Sequence, residues 1–320
     1  MNNKKLDMAY KRYKKNFIEG YPMQEMEAKY EEAEKKIKDI IKNNELKKDH
    51  IFLTRLARIR LYYLTLWKHI NFLDNKMDKQ SLKKIQIIVF FQCFSQELYK
   101  ERYPNMLLEY NLKFVVIALI HFNFWGWEKE EGILLEFIKN NISSNILNTN
   151  DDNKHVWFLL ELYLKFKNET ILGVNENLNL KVKENLINND MKANMIPNDL
   201  EIYEKVFKNL KAENIDGLIN GMIIYHSEML KNLGEYGEFR DYVYGFYPIE
   251  ILYLIHIRKK LGLSVPEKFD DFLMNTPEAK MEFKEKELYP EMDELVEEID
   301  KFYRRNYPEY IPNKHGELFK

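Results

Sequence analysis

The stretch Asp241–Pro266, DYVYGFYPIEILYLIHIRKKLGLSVP, sets the fold class. Pro248 suits the first turn of a helix, where an N–H has no intrahelical acceptor and a fixed φ is already helical. Gly262 offers the left-handed residue on which a helix can stop. Between them lies an aliphatic and aromatic run, so the sequence predicts a helix over 248–261. The stretch contains no nucleophile paired with a base, no set of metal ligands and no phosphate loop.

Outward from this unit, apolar residues recur at helical spacing with polar linkers between the runs. In 21–43, Pro22 stands near the first turn and Met23, Met26, Tyr30, Ala33, Ile37, Ile40 and Ile41 share one side, which predicts an amphipathic surface helix. The broader stripe of 50–73 predicts a helix buried on more than one side. Asp78 and Ser81 are candidate caps for a helix through Tyr99, and Pro104 marks the start of another reaching Phe124. Trp125-Gly126-Trp127 then breaks the pattern, and a short helix is predicted over 128–140. Further helices are expected over 155–167, 198–211, 215–233 and 289–306. Gly217 and Gly221 have the spacing of a close helix crossing, read as a contact within the chain. The expectation is an all-α array of antiparallel helix pairs in two coupled lobes, 1–141 and 154–320, joined by a polar linker at 142–153.

Composition agrees with that class. In 320 residues, 45% are hydrophobic and 14% aromatic, which argues against disorder, while 11 Gly and 9 Pro favour long helices over turn-rich sheet. A formal charge of −2 excludes the global basicity that makes nucleic acid a default partner. The apolar runs 85–94 and 114–125 are too short to span a bilayer, so no membrane association is expected. The basic start lacks the apolar stretch and cleavage site of a signal peptide. The single cysteine, Cys93, lies in an apolar run and reads as a buried hydrophobe in a reducing, cytoplasmic setting.

Catalytic patterns fail one by one. There is no HExxH, no pair of Glu-x-x-His repeats, no GxxxxGK[ST], no GxGxxG after a strand and no GxSxG. Asp152-x-x-His155 is the nearest approach to a diiron motif. His226 has Glu228 nearby, but residues two apart on a helix do not share a face. His69, His121 and His256 sit in apolar surroundings and read as packed histidines. No catalytic residue, metal or cofactor is therefore expected.

Two segments suit binding better. Between two predicted helices, Glu235, Tyr236, Glu238, Asp241, Tyr242 and Tyr244 cluster among glycines as a recognition loop, since tyrosines give large contact area and carboxylates pair with Lys or Arg. In the second, Leu288, Met292, Leu295, Ile299 and Phe302 define an apolar side and leave Glu291, Asp293, Glu294, Glu297 and Glu298 facing solvent. Such an acidic face steers basic partners and discourages nucleic acid.

The helix IDGLINGMIIYHSEMLKNLG, the tyrosine-acidic loop, YGFYPIEILYLIHIRKKLG and LSVPEKF resemble the C-terminal part of all-α immunity proteins of bacterial polymorphic toxin systems. The resemblance covers Asn214 to Phe272. Some nuclease-immunity members carry a Tyr-Trp-rich segment before the last helix, and this chain has no Trp there. The resemblance implies a non-catalytic cytoplasmic inhibitor that binds a cognate toxin domain, with the acidic surfaces suiting a basic nuclease toxin. Nothing indicates a homo-oligomer. Two other classes stay open: a helical hydrolase or nuclease using His226, Glu228, Arg240 and Asp241, and a helical scaffold or regulator with a peptide groove.

Overall fold

The computed structural model describes residues 3–100, 102, 110–142, 147–148, 154–174, 203–231, 243–282, 284 and 286–320. They form an all-α array. Contacts divide the chain into one unit from Met1–Lys14 with Thr149–Glu282 and another from Lys15–Asn148 with Phe283–Lys320. The expected lobes at 1–141 and 154–320 change owners at both ends, and the reason lies in aromatic and ionic anchors.

Helix α1 (Asn3–Gly20) carries Leu6, Tyr10, Tyr13 and Phe17 on one buried stripe. Its first part belongs to the unit of residues 149–282. There Tyr13 donates to the Val243 carbonyl at 3.0 Å, and Tyr10 and Tyr13 pack on Phe246 at ring distances of 4.8 and 5.1 Å.

In the unit of 15–148 and 283–320, α2 (Met23–Asn43), α3 (Ile51–Leu73), α4 (Lys79–Tyr99), α5 (Leu112–Trp125) and α6 (Glu128–Asn141) pack as successive neighbours. Pro22 is the N-cap of α2, and Asp78 caps α4 by accepting from the Gln80 and Ser81 amides. Hydrophobic residues around the whole circumference of α4 and α5 bury almost every side chain from Ser81 to Tyr99 and from Leu112 to Trp125. Gly126, at φ 67°, ends α5: the Trp127 amide donates to the Phe122 carbonyl at 2.9 Å, closing a Schellman turn. Two-residue strands β1 (Tyr110–Asn111) and β2 (Leu147–Asn148) pair in parallel.

The C-terminal segment is pinned to these helices. The Glu287 amide donates to the Trp125 carbonyl and the Trp127 indole to the Glu287 carbonyl, each at 2.9 Å. The Phe319 amide donates to Glu130, and its ring lies 5.0 Å from Phe90 and 5.7 Å from Phe122. The last long helix, α12 (Glu294–Asn306), starts later than 289 because Asp293 caps it, accepting from the Leu295 and Val296 amides at 3.0 and 3.1 Å. Leu288, expected on its apolar side, instead precedes the helix and is 85% exposed.

The unit of 1–14 and 149–282 contains α7 (Lys154–Phe166), the single turn α8 (Ile171–Val174), α9 (described over 203–209), α10 (Asp216–Lys231) and α11 (Ile249–Lys260). Helix α11 is buried from Ile249 to Arg258. Pro248 is its N-cap, and Gly262 at φ 68° ends it, with the Gly262 and Leu263 amides donating to the carbonyls of Lys259 and Arg258. The fully buried Arg258 guanidinium donates to three backbone carbonyls, those of Leu210, Glu213 and Ser264, which replace its lost hydration. A Cβ on Gly217 would meet nothing within 4 Å, so no close helix crossing is built on it.

Candidate partner-binding surface

Of the expected recognition-loop residues, Glu235, Tyr236, Glu238, Asp241 and Tyr242 lie outside the described residues. Tyr244 is described, and it is 4% exposed, in a turn over 243–246 with its ring 6.3 Å from Tyr247. It serves packing and does not face solvent. Asp293, expected on the acidic face, is also buried. Besides capping α12, it accepts hydrogen bonds from the Tyr30 and Tyr63 hydroxyls at 2.7 Å each. Helix capping and phenol satisfaction consume this carboxylate. Glu291 and Glu294 are exposed, and Glu297 and Glu298 are half-buried, with Glu297 paired to Lys301 at 3.0 Å.

Around Asp293, helices α2, α3 and α12 build a ledge of carboxylates and phenols. The Tyr30 and Tyr62 rings lie 4.8 Å apart, half-buried. Burial raises the Tyr62 phenol, with Glu27 and Asp293 adding to it; burial, then Asp293 and Glu34, raise Tyr30. Both side chains therefore stay neutral and offer aromatic faces beside negative charge. On the neighbouring side, the hydrogen bond to Glu34 at 2.8 Å raises the Lys38 ammonium, and Glu294 and Glu298 add to it. Glu27 and Glu34 thus come from α2 and Glu294 and Glu298 from α12, two helices packed on each other, with Glu34 itself paired to Lys38. A shallow notch lined by Lys84, Ile87, Ile88, Met292 and Val296 adjoins Asp293. Carboxylates with adjacent phenol rings suit cationic side chains, which gain from both ion pairing and the negative ring face.

The ledge was half legible. The α12 carboxylates follow from the charge run, whereas Tyr30 reads as a helix-stripe residue and Tyr62 carries no local signal, because their meeting depends on the packing of α2 against α3.

His226, set apart from Glu228 by helix geometry, takes its partner from another helix. His226 Nδ1 lies 2.6 Å from Glu250 Oε1, while Glu228 is exposed on another side of α10. His226 Nε2 lies 2.8 Å from the Gly245 carbonyl, and His155 Nε2 lies 3.0 Å from Glu250 Oε2. All three side chains are at most 2% exposed. Burial pushes the Glu250 carboxyl up, but the two imidazoles outweigh it and hold the group well below the ordinary carboxylate range. Sequence does carry a signal for this cluster, because Glu250 is a lone carboxylate in an apolar helix and such a group needs a buried partner.

Buried this fully, the cluster holds charge and fixes helices. Arg240 and Asp241, the other members of the enzyme alternative, lie outside the described residues. Among the described residues, no group of His, Cys, Asp or Glu is placed to hold a metal ion, and no helix is long and apolar enough to cross a membrane. Burial raises the Cys93 thiol, which leaves it a poor nucleophile. Comparison with family models, curated proteins and solved structures returns no match, so function is argued from this chemistry.

Proposed function

We propose that the chain is a non-catalytic immunity protein that acts in the cytoplasm by binding and neutralising a cognate, basic toxin domain. The ledge of Glu27, Glu34, Glu294 and Glu298 around Tyr30 and Tyr62 is the observation that supports it. Its carboxylates accelerate encounter with a cationic surface, and its tyrosines supply contact area at small entropy cost. Asp293 holds Tyr30 in place from beneath, so part of the ledge is preorganised before a partner arrives. Inhibition by this route is stoichiometric and needs no bond chemistry in the inhibitor.

The experiment is calorimetric titration of the full chain with the toxin domain encoded beside its gene, alongside an assay of the toxin's activity. A one-to-one complex that silences the toxin and weakens with added salt is the expected result. Absence of a complex at micromolar concentrations overturns the proposal.

A further inference from the structure

Donors and acceptors around His226 can be counted from geometry. Its Nε2 faces the Gly245 carbonyl at 2.8 Å, and a carbonyl only accepts, so Nε2 carries a hydrogen. Its Nδ1 faces Glu250 Oε1 at 2.6 Å, and a carboxylate also only accepts. Two arrangements satisfy both contacts: an imidazolium against a carboxylate, or a neutral ring accepting from a protonated Glu250. Each holds one proton more than a neutral ring beside a carboxylate. The second oxygen of Glu250 lies 3.0 Å from His155 Nε2, and an N–H directed at that oxygen favours the anion over the acid.

We propose that His226 is a buried imidazolium held between Glu250 and the Gly245 carbonyl, a proton-loaded clasp that ties α10, α11, α7 and the turn over 243–246. The low position of the Glu250 carboxyl agrees with an ionised partner. Among the described residues, His155 from α7 and His226 from α10 face that carboxylate, and the turn supplies the Gly245 carbonyl. The nearby Tyr247 phenol couples to Tyr244 and Glu278 instead. Removing the proton leaves His226 with one N–H for two acceptors, so either the carbonyl or the carboxylate faces a bare nitrogen in a dry site. His226 and Gly245 are 19 residues apart in the chain, so their bond joins α10 to the turn over 243–246.

Nitrogen-15 NMR of the histidine rings in the full-length chain at about pH 7.5, where an ordinary imidazole is mostly neutral, tests the clasp. The expected spectrum shows hydrogens on both ring nitrogens of His226, and Glu250→Gln converts that ring to a neutral tautomer. A single-tautomer neutral His226 in the wild-type chain overturns the proposal, as does an imidazolium that persists in E250Q. The wild-type spectrum alone reads the protonation state, so the test stands even where E250Q does not fold.

Discussion

Lys83, buried in α4, lies 3.0 Å from Glu287, 204 residues further along the chain, and also donates to the Leu288 carbonyl at 2.7 Å. Burial raises the Glu287 carboxyl, but Lys79 and Lys83 together hold it below its ordinary value. Lys83→Met removes one partner from a desolvated pair and leaves Glu287 with the half-buried Lys79. The expected loss is about 3 kcal/mol of unfolding free energy, measured by urea denaturation. K83M with Glu287→Leu should recover most of it, because the uncompensated charge is gone.

Two buried histidines make stability sensitive to acid. Burial lowers His121 to about 3, and burial with Lys260 and Lys259 lowers His256 to about 4. The unfolded chain takes up protons at these sites near the ordinary histidine value while the folded chain does not, so stability falls as pH drops through that range. Between about pH 7.5 and 5, each site should cost about 1–2 kcal/mol. Leucine at either position should flatten the slope by that amount relative to wild type, a difference that removes the contribution of the His226 clasp.

Gly262→Ala isolates backbone conformation from packing. The residue sits at φ 68°, yet a Cβ there meets nothing within 4 Å. The cost should be about 1 kcal/mol, arising from the left-handed conformation alone. Thermal unfolding of the variant checks it, and a loss several times larger would point to a clash that the open space around Gly262 does not provide.

Charge reversal at Glu27 and Glu294, both exposed, should leave folding within about 0.5–1 kcal/mol of wild type. Association with the toxin domain should slow roughly tenfold at low salt, with the difference shrinking as salt is added. Stopped-flow measurement at two ionic strengths checks both statements. Unchanged association would remove the ledge from the binding reaction.

The helices were legible where their ends are punctuated. Pro22, Asp78, Gly126 and Gly262 act locally, so the boundaries near them follow from sequence. The stripe Leu6, Tyr10, Tyr13 and Phe17 is equally regular, but the dense lysines around it leave α1 without a clear local start signal. At Asp293, local charge suggested a solvated face, while its role is set by Tyr30 and Tyr63, each at least 230 residues away. For His226 the helix geometry rules out Glu228 from sequence, but its partner Glu250, 24 residues on, is set by packing between helices. Pairings across helices are fixed by tertiary packing, which no periodicity encodes.

The ownership of residues 283–320 by the unit of 15–148 bears on synthesis. As the chain emerges from the ribosome, α4, α5 and α6 appear early, yet Glu287 for Lys83 and Phe319 for Glu130 arrive after the whole of 149–282. Lys83 and the apolar faces around Phe90 and Phe122 thus wait unmatched while the second unit is made. Tyr10 and Tyr13 wait likewise for Phe246. Each unit is a loop closed by a late segment, so a ribosome-stalled fragment ending near 282 should engage chaperones more than the complete chain does.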